Sequence, residues 1–381
     1  MPFIDLTLGT PLPRFFPSDQ IAGAVKSLYE NGSFDRILGY GAHINGDLAL
    51  RERIIHLRPE YAGFGPDDIL ITFGSTDAID LFFRNTLESG DVVVVENPTY
   101  KWAIKDILRC GASVVTVPVD ADGMQVELFE SMLRRDVFLA AKIKSVYTIP
   151  NFHNPTGACM SDDRRQLLVD LSKRYGFLIL EDDPYYEFAY ENGALRSLLD
   201  VDPDKQVVQI CTFSKLMAPG IRLGWMATKN PLLPDICSRK HNASNPFLSS
   251  VVGKLLENDD YWSHLNRSMQ YYRESLNIFT ELVENRAGGF EYFAPNGGFY
   301  VLLNLPGGVK ESDFIEQCAL SGVKVMAGGG FFYDKTDTAT IRLSFASVSH
   351  DDLSTACGVL NSVLKKISGV QNRGSNSYKP H

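Results

Sequence analysis

Between positions 69 and 227 the chain alternates short, unbroken apolar runs with stretches whose apolar residues recur every three or four positions. The runs at 69–73, 91–96, 113–119, 144–150, 177–180, 207–211 and 223–227 predict strands. Residues 92–95, within 91–96, are four consecutive valines, the pattern of a parallel strand buried on both faces. Helical spacing fills the gaps: Ala78, Ile79, Phe82 and Phe83 share one face, as do Leu167, Leu168, Leu171 and Tyr175, and 128–133 is also helical. Beyond position 230 the pattern changes. Long amphipathic helices are predicted over 234–257 and 260–285, the second stopped by Gly288 and Gly289. Short strands at 299–305, 324–327 and 340–345 then alternate with helices at 312–322 and 351–367, an α+β arrangement. The first 17 residues are Pro-rich and irregular, 19–29 is a helix, and 369–381 has the composition of a disordered tail. The prediction is one large α/β unit followed by a smaller α+β unit, with no internal repeat.

A length of 381 residues suits that division, and 44% hydrophobic with 22% charged residues is ordinary for a soluble globular chain. A net charge of −9 argues against nucleic acid or an anionic membrane as the main partner, since both demand a basic face. No apolar run approaches the roughly 20 residues that span a bilayer, and the N-terminus lacks a basic segment followed by an apolar one. The six cysteines are scattered, without a C-x-x-C pair, which fits reduced thiols in the cytoplasm better than disulfides or a zinc site.

The chemistry concentrates where strands end. In Thr212-Phe213-Ser214-Lys215, running on to Arg222-Leu223-Gly224-Trp225, a lysine stands in a loop between two buried strands. Burial there would lower its pKa and free its lone pair for attack on an aldehyde. Thr212, Ser214 and Arg222 offer two hydroxyls and a cation, a set that holds a phosphate. Gly74-Ser75-Thr76 opens a helix, so Ser75 and Thr76 are either phosphate contacts or ordinary N-caps. Glu181, Asp182 and Asp183 end one strand together, and at least one of them needs a cationic partner. Arg239, Lys240 and His241 read as a solvated helix face.

Six segments, in order, resemble those of the fold-type I pyridoxal-phosphate (PLP) aminotransferases, nearest to the aminoadipate and kynurenine subgroup: G-S-T at 74–76, P-T-Y at 98–100, N-P-T-G at 154–157, D-x-P-Y at 182–185, S-K-x6-R at 214–222 and I-R-L-S-F at 341–345. The resemblance implies a mixed, mostly parallel seven-stranded sheet, with an arm and part of the small domain in 1–40, a large PLP-binding domain in 41–275 and a small domain in 276–368. It makes Lys215 the Schiff-base lysine, Asp182 the partner of the pyridine nitrogen, and Tyr185 and Asn154 the partners of the phenolic oxygen. Asp183 is left facing solvent or capping a helix. Tyr100 would stack on the ring, while Ser75, Thr76, Thr212, Ser214 and Arg222 would hold the phosphate. Tyr40, in Leu38-Gly39-Tyr40-Gly41, would reach the phosphate of a second subunit in a homodimer; on its own it is a packed loop aromatic. Arg342 would clamp the substrate carboxylate beside Asn154, unless it serves a buried acid. Gly9 would approach the substrate with its backbone, or simply make a turn.

The implied activity is transfer of an α-amino group between an L-amino acid and a 2-oxo acid, with Lys215 moving the proton at Cα. The same apparatus also serves elimination, cyclisation or oxidation, which turnover without a 2-oxo acid would reveal. A PLP-binding transcription regulator would need a DNA-binding domain ahead of motifs that already begin by Gly9. The loop around His43, and His153 ahead of Asn154, set this chain apart from a housekeeping pattern and leave the side-chain specificity open.

Overall fold

A computed structural model of the protein describes residues 3–39, 43–190, 196–240, 242–287, 289–334 and 338–374. Tyr40, Gly41, His241, Gly288 and residues 375–381 lie outside them.

The seven expected strands form one sheet, in the order Ile69–Thr72, Gly224–Ala227, Val207–Thr212, Leu178–Asp182, Ile143–Thr148, Val92–Asn97 and Ser113–Asp120. An eighth strand of two residues, Gly123–Met124, folds back on the edge. Five neighbouring strands run parallel and Gly224–Ala227 runs against them. The valine strand shows why the sheet is buried on both sides. Val93 and Val95 pack with Phe82, Phe83 and Leu180 on one face, and Val92 and Val94 pack with Val117, Leu168 and Leu171 on the other. Parallel strands point their C-terminal ends the same way, so Asn97, Thr148, Asp182 and Thr212 all finish at one edge, where α/β sheets bind ligands.

Tyr300–Asn304, Thr340–Ser344 and Met326–Ala327 make a separate antiparallel sheet of three strands. The N-terminal arm is not wholly irregular: Ile4–Asp5 pairs parallel with Val323–Lys324, and the Ser344 N–H donates to Leu6 O at 2.8 Å. These bonds carry Thr7 to Thr10 along the small sheet to the edge of the large one.

The helix expected over 234–257 is two, Leu232–Arg239 and Pro246–Leu256. Pro246 cannot continue a helix from its N-terminal side, whereas it starts one well, and the Asn245 side chain accepts from Leu248 N to cap that start. Lys240, expected in solvent, is buried at the break and donates to Ile71 O at 2.6 Å. Asp259–Ala287 is a single long helix, and His350–Gly374 continues beyond the expected position 367.

Candidate active site

The strand Val207–Thr212 runs into one helical turn, Phe213–Leu216, where a loop was expected. The Thr212 hydroxyl starts the turn by accepting from Ser214 N at 3.1 Å. Lys215 follows on that turn, half-buried, and its Nζ donates to Gly9 O at 2.6 Å. The chain then makes a second tight turn and reaches Arg222, whose φ of 49° lies in the left-handed region that a non-glycine residue seldom adopts. That conformation aims the guanidinium back at the opening of the Ser75–Thr86 helix, where Nη2 donates to Phe73 O at 3.2 Å. Arg222, Thr212, Ser214, Ser75 and Thr76 therefore surround one helix N-terminus, a site for an anion.

The three acids at the end of Leu178–Asp182 go to three different places. Glu181 accepts from the Ser197 hydroxyl at 2.6 Å and Leu198 N at 2.9 Å, and burial pushes its carboxyl up to about 8. Asp183 does not face solvent or cap a helix: it is fully buried and takes Arg58 Nη1 at 2.9 Å and Asn151 Nδ2 at 3.1 Å. A carboxylate taken out of water must find a cation, and Arg58 is that cation. Asp182 alone turns toward the cavity. Its Oδ2 accepts from Tyr147 Oη at 2.6 Å, while its Oδ1 is buried without a partner. Burial is the main cause that raises its carboxyl to about 7; the Tyr147 bond opposes this and Asp183 adds to it.

From the other side, Arg342 on Thr340–Ser344 donates through Nη2 to Thr7 O at 2.6 Å and through Nη1 to Asn154 Oδ1 at 3.3 Å. It lies over the Tyr300 ring, 4.3 Å from the centroid, and its buried Nε has no partner. No carboxylate within the described residues claims it. Tyr185 is buried edge-on to Tyr300, and burial first, then Tyr300, keeps its phenol well above the usual range. Burial also raises the Tyr100 phenol, against a hydrogen bond with Thr76. A Cβ added at Gly9 would overlap the Tyr300 hydroxyl, so the absent side chain is what lets the arm pass.

Twelve of the residues to which the family resemblance gives a role at the cofactor or substrate line one cavity of about 280 Å³: Gly9, Ser75, Thr76, Tyr100, Asn154, Asp182, Tyr185, Thr212, Ser214, Lys215, Arg222 and Arg342. The thirteenth, Tyr40, lies outside the described residues. A larger cavity of about 430 Å³ between Leu28, Arg36, Glu52 and Lys254 holds none of them. Tyr147 and Arg58 also hold the site's acids, yet no motif marks them, because their partners Asp182 and Asp183 lie far away in the chain. His153 is turned inward, 3.1 Å from Glu96 Oε2 through Nε2 and 2.9 Å from Thr156 Oγ1 through Nδ1, and His43 is exposed.

The residues fit a cofactor with an anionic tail and a ring nitrogen. The orphaned Oδ1 of Asp182, the anion site at the opening of the Ser75–Thr86 helix and the Lys215 amine all line the same cavity.

Comparison with known proteins agrees with this geometry. An aromatic-amino-acid aminotransferase of Thermococcus litoralis is 30% identical over 369 residues, 95% of this chain and 88% of that relative. A 2-aminoadipate transaminase of Thermus thermophilus is 28% identical, over 94% of this chain and 89% of the relative. The structure of Pyrococcus horikoshii kynurenine aminotransferase, solved with PMP, superposes with a TM-score of 0.90 at 31% identity, covering 96% of this chain and 92% of that one. The profile of the family described as aminotransferase class I and II matches residues 4–360, from the arm through both sheets, and the chain belongs to that family.

Proposed function

We propose that the protein transfers an α-amino group from an L-amino acid to a 2-oxo acid, with pyridoxal 5′-phosphate held in the 280 Å³ cavity. What carries the proposal is the convergence there of Lys215, the half-satisfied Asp182 and the carboxylate-free Arg342, in a chain of the aminotransferase family. Bound there, the cofactor supplies a carbonyl carbon that exchanges amines and a ring that withdraws electrons from the substrate Cα.

Lys215 is the amine that anchors the cofactor and, once free, the base and acid that carries the proton at Cα. Gly9 O is its present acceptor. Asp182 Oδ1 takes the ring nitrogen, and Tyr185 and Asn154 stand to donate to the phenolic oxygen. Ser75, Thr76, Thr212, Ser214 and Arg222 hold the phosphate, and Tyr100 covers the ring. Arg342 has two donors on a rigid fork to grip the substrate α-carboxylate, which orients the bond to be broken at Cα. Gly9 would approach the substrate with its backbone.

We read 41–275 as the cofactor domain, 276–368 as the small domain and 1–40 as the arm plus part of the small domain. A homodimer is supported by large apolar side chains exposed beside the site: Phe73, next to Gly74, is 39% exposed and Trp102, next to the Tyr100 turn, is 44% exposed. Six free cysteines fit a cytoplasmic enzyme. Among the described residues, no helix is long and apolar enough to cross a membrane.

The test is a panel of amino acids incubated with purified protein, with and without 2-oxoglutarate or pyruvate. Consumption that needs the acceptor and yields an equal amount of new amino acid is expected. Turnover without any acceptor, or none at all, contradicts the proposal.

A further inference from the structure

No motif points to Tyr147. It lies in the strand Ile143–Thr148, opposite Leu180 in the parallel neighbour, and Asp182 follows Leu180 by two residues. Side chains two apart share a face of a strand, so Tyr147 and Asp182 project from the same side of the sheet, one step apart. The phenol spans that step, placing Oη 2.6 Å from Asp182 Oδ2. The ring cannot swing elsewhere: it is fully buried, packed against Phe83 with centroids 6.5 Å apart, in the cluster that contains Val95 and Leu180. The result is an asymmetric carboxylate, one oxygen held by a fixed donor and the other buried with none.

We propose that Tyr147 is a positioning residue for the reaction: its hydroxyl holds Asp182 Oδ2, so that Oδ1 is the oxygen offered to the cofactor ring nitrogen, and it keeps their shared proton on the ring. The inference rests on the PLP function proposed above. A proton between a carboxylate and a pyridine nitrogen settles on the more basic of the two. A hydrogen bond donated to the carboxylate lowers its basicity, and most strongly when the acceptor carries charge. The other groups facing Asp182 are Asp183 beside it, Glu96 from the strand Val92–Asn97, Lys215 from the helical turn, and the phenols of Tyr100 and Tyr185. Asp183 and Glu96 drive the proton onto Asp182, whereas Tyr147 and Lys215 oppose them. Lys215 has its own chemical task, so Tyr147 is the constant member of that pair.

Loading wild-type protein and Tyr147→Phe with PLP labelled with 15N in the ring reads the proton directly, because the nitrogen shift separates the protonated from the free form. In wild-type protein the ring nitrogen should carry the proton at neutral pH. In Y147F, where the carboxylate becomes the more basic partner, the nitrogen shift at the same pH should move toward that of the free form, with kcat reduced about tenfold and KM changed much less. Should the Phe variant fail to fold, 3,5-difluorotyrosine at position 147 keeps the shape with a stronger donor, and the shift should move further toward the protonated form. A shift that ignores both changes overturns the inference. Wild-type protein that takes up no PLP is a different result, and overturns the proposed function itself.

Discussion

Gly9 occupies a position where one carbon would decide the site. Its carbonyl accepts from Lys215 Nζ, and a methyl added at its Cα would overlap the Tyr300 hydroxyl and ring, so either the arm or Tyr300 has to move. Gly9→Ala is expected to lower kcat/KM by about tenfold or more, as for other small displacements at a reacting centre. Tyr300→Ala, which clears the hydroxyl and the ring carbons that the methyl would meet, should cost less in the Gly9→Ala background than in wild-type protein. Two independent, additive losses in the double variant would mean that Gly9 acts in some other way. At this scale most of the site was legible in the sequence. Lys215, Asp182, Asn154, Arg222 and Arg342 each stand in a short pattern beside a predicted strand, and the strand ends bring them together. Asp183 was misjudged because its partner, Arg58, comes from a segment 125 residues earlier that carries no pattern of its own.

At the level of elements, Arg58 fastens the end of the strand Leu178–Asp182 to the turn Tyr186–Phe188, with Asp183 Oδ2 at 2.9 Å, Glu187 Oε1 at 3.0 Å and Glu60 Oε1 at 3.6 Å. Its side chain is 1% exposed and those of Asp183 and Glu60 are fully buried, so removing the cation leaves charges that water cannot reach. Arg58→Ala should cost about 3–5 kcal/mol, measured as a lower urea midpoint of the cofactor-free protein. Arg58→Met, of similar shape, should cost about as much, since charge rather than volume is lost. Near-wild-type stability in both variants would contradict the assignment. Strands were the most legible elements, because runs such as 91–96 have no other use for so many valines. Pairing was not legible: which strand lies beside which decides that Tyr147 meets Asp182, and register leaves no mark in either segment. The break between Leu232–Arg239 and Pro246–Leu256 could have been read from Asn245-Pro246, an N-cap followed by the residue that suits the first turn.

For the whole molecule, three buried acids give stability a definite pH dependence. Burial raises Asp182 and Glu60 to about 7 and Glu181 to about 8. In the unfolded chain the same groups lose their protons near pH 4. Between those values the folded state holds more protons than the unfolded one, so folding stability must fall as pH rises, by up to about 1.4 kcal/mol per unit for each group. The urea midpoint of the protein without PLP should therefore decline from about pH 5 to about pH 8, and Asp182→Asn should decline less steeply. A midpoint that rises over that window would contradict the burial of these acids. The carboxyls that arginines and lysines hold low, such as Asp120 and Glu257, act below about pH 4 and leave the window clear. The division into a large sheet and a smaller antiparallel one was legible from the change of pattern near position 230. The arm's course was not, since the two-residue pairing of Ile4–Asp5 is too short to leave a period, yet it delivers Gly9 to Lys215.

One measurement bears on all of this most directly: incubate the purified protein with PLP, reduce with borohydride, digest, and locate the added mass. A yellow protein with a single phosphopyridoxyl group on Lys215 is the expected result, lost in Lys215→Ala while the fold persists. A colourless protein, or a label spread over surface lysines with Lys215 unmodified, would contradict the function assigned to the cavity.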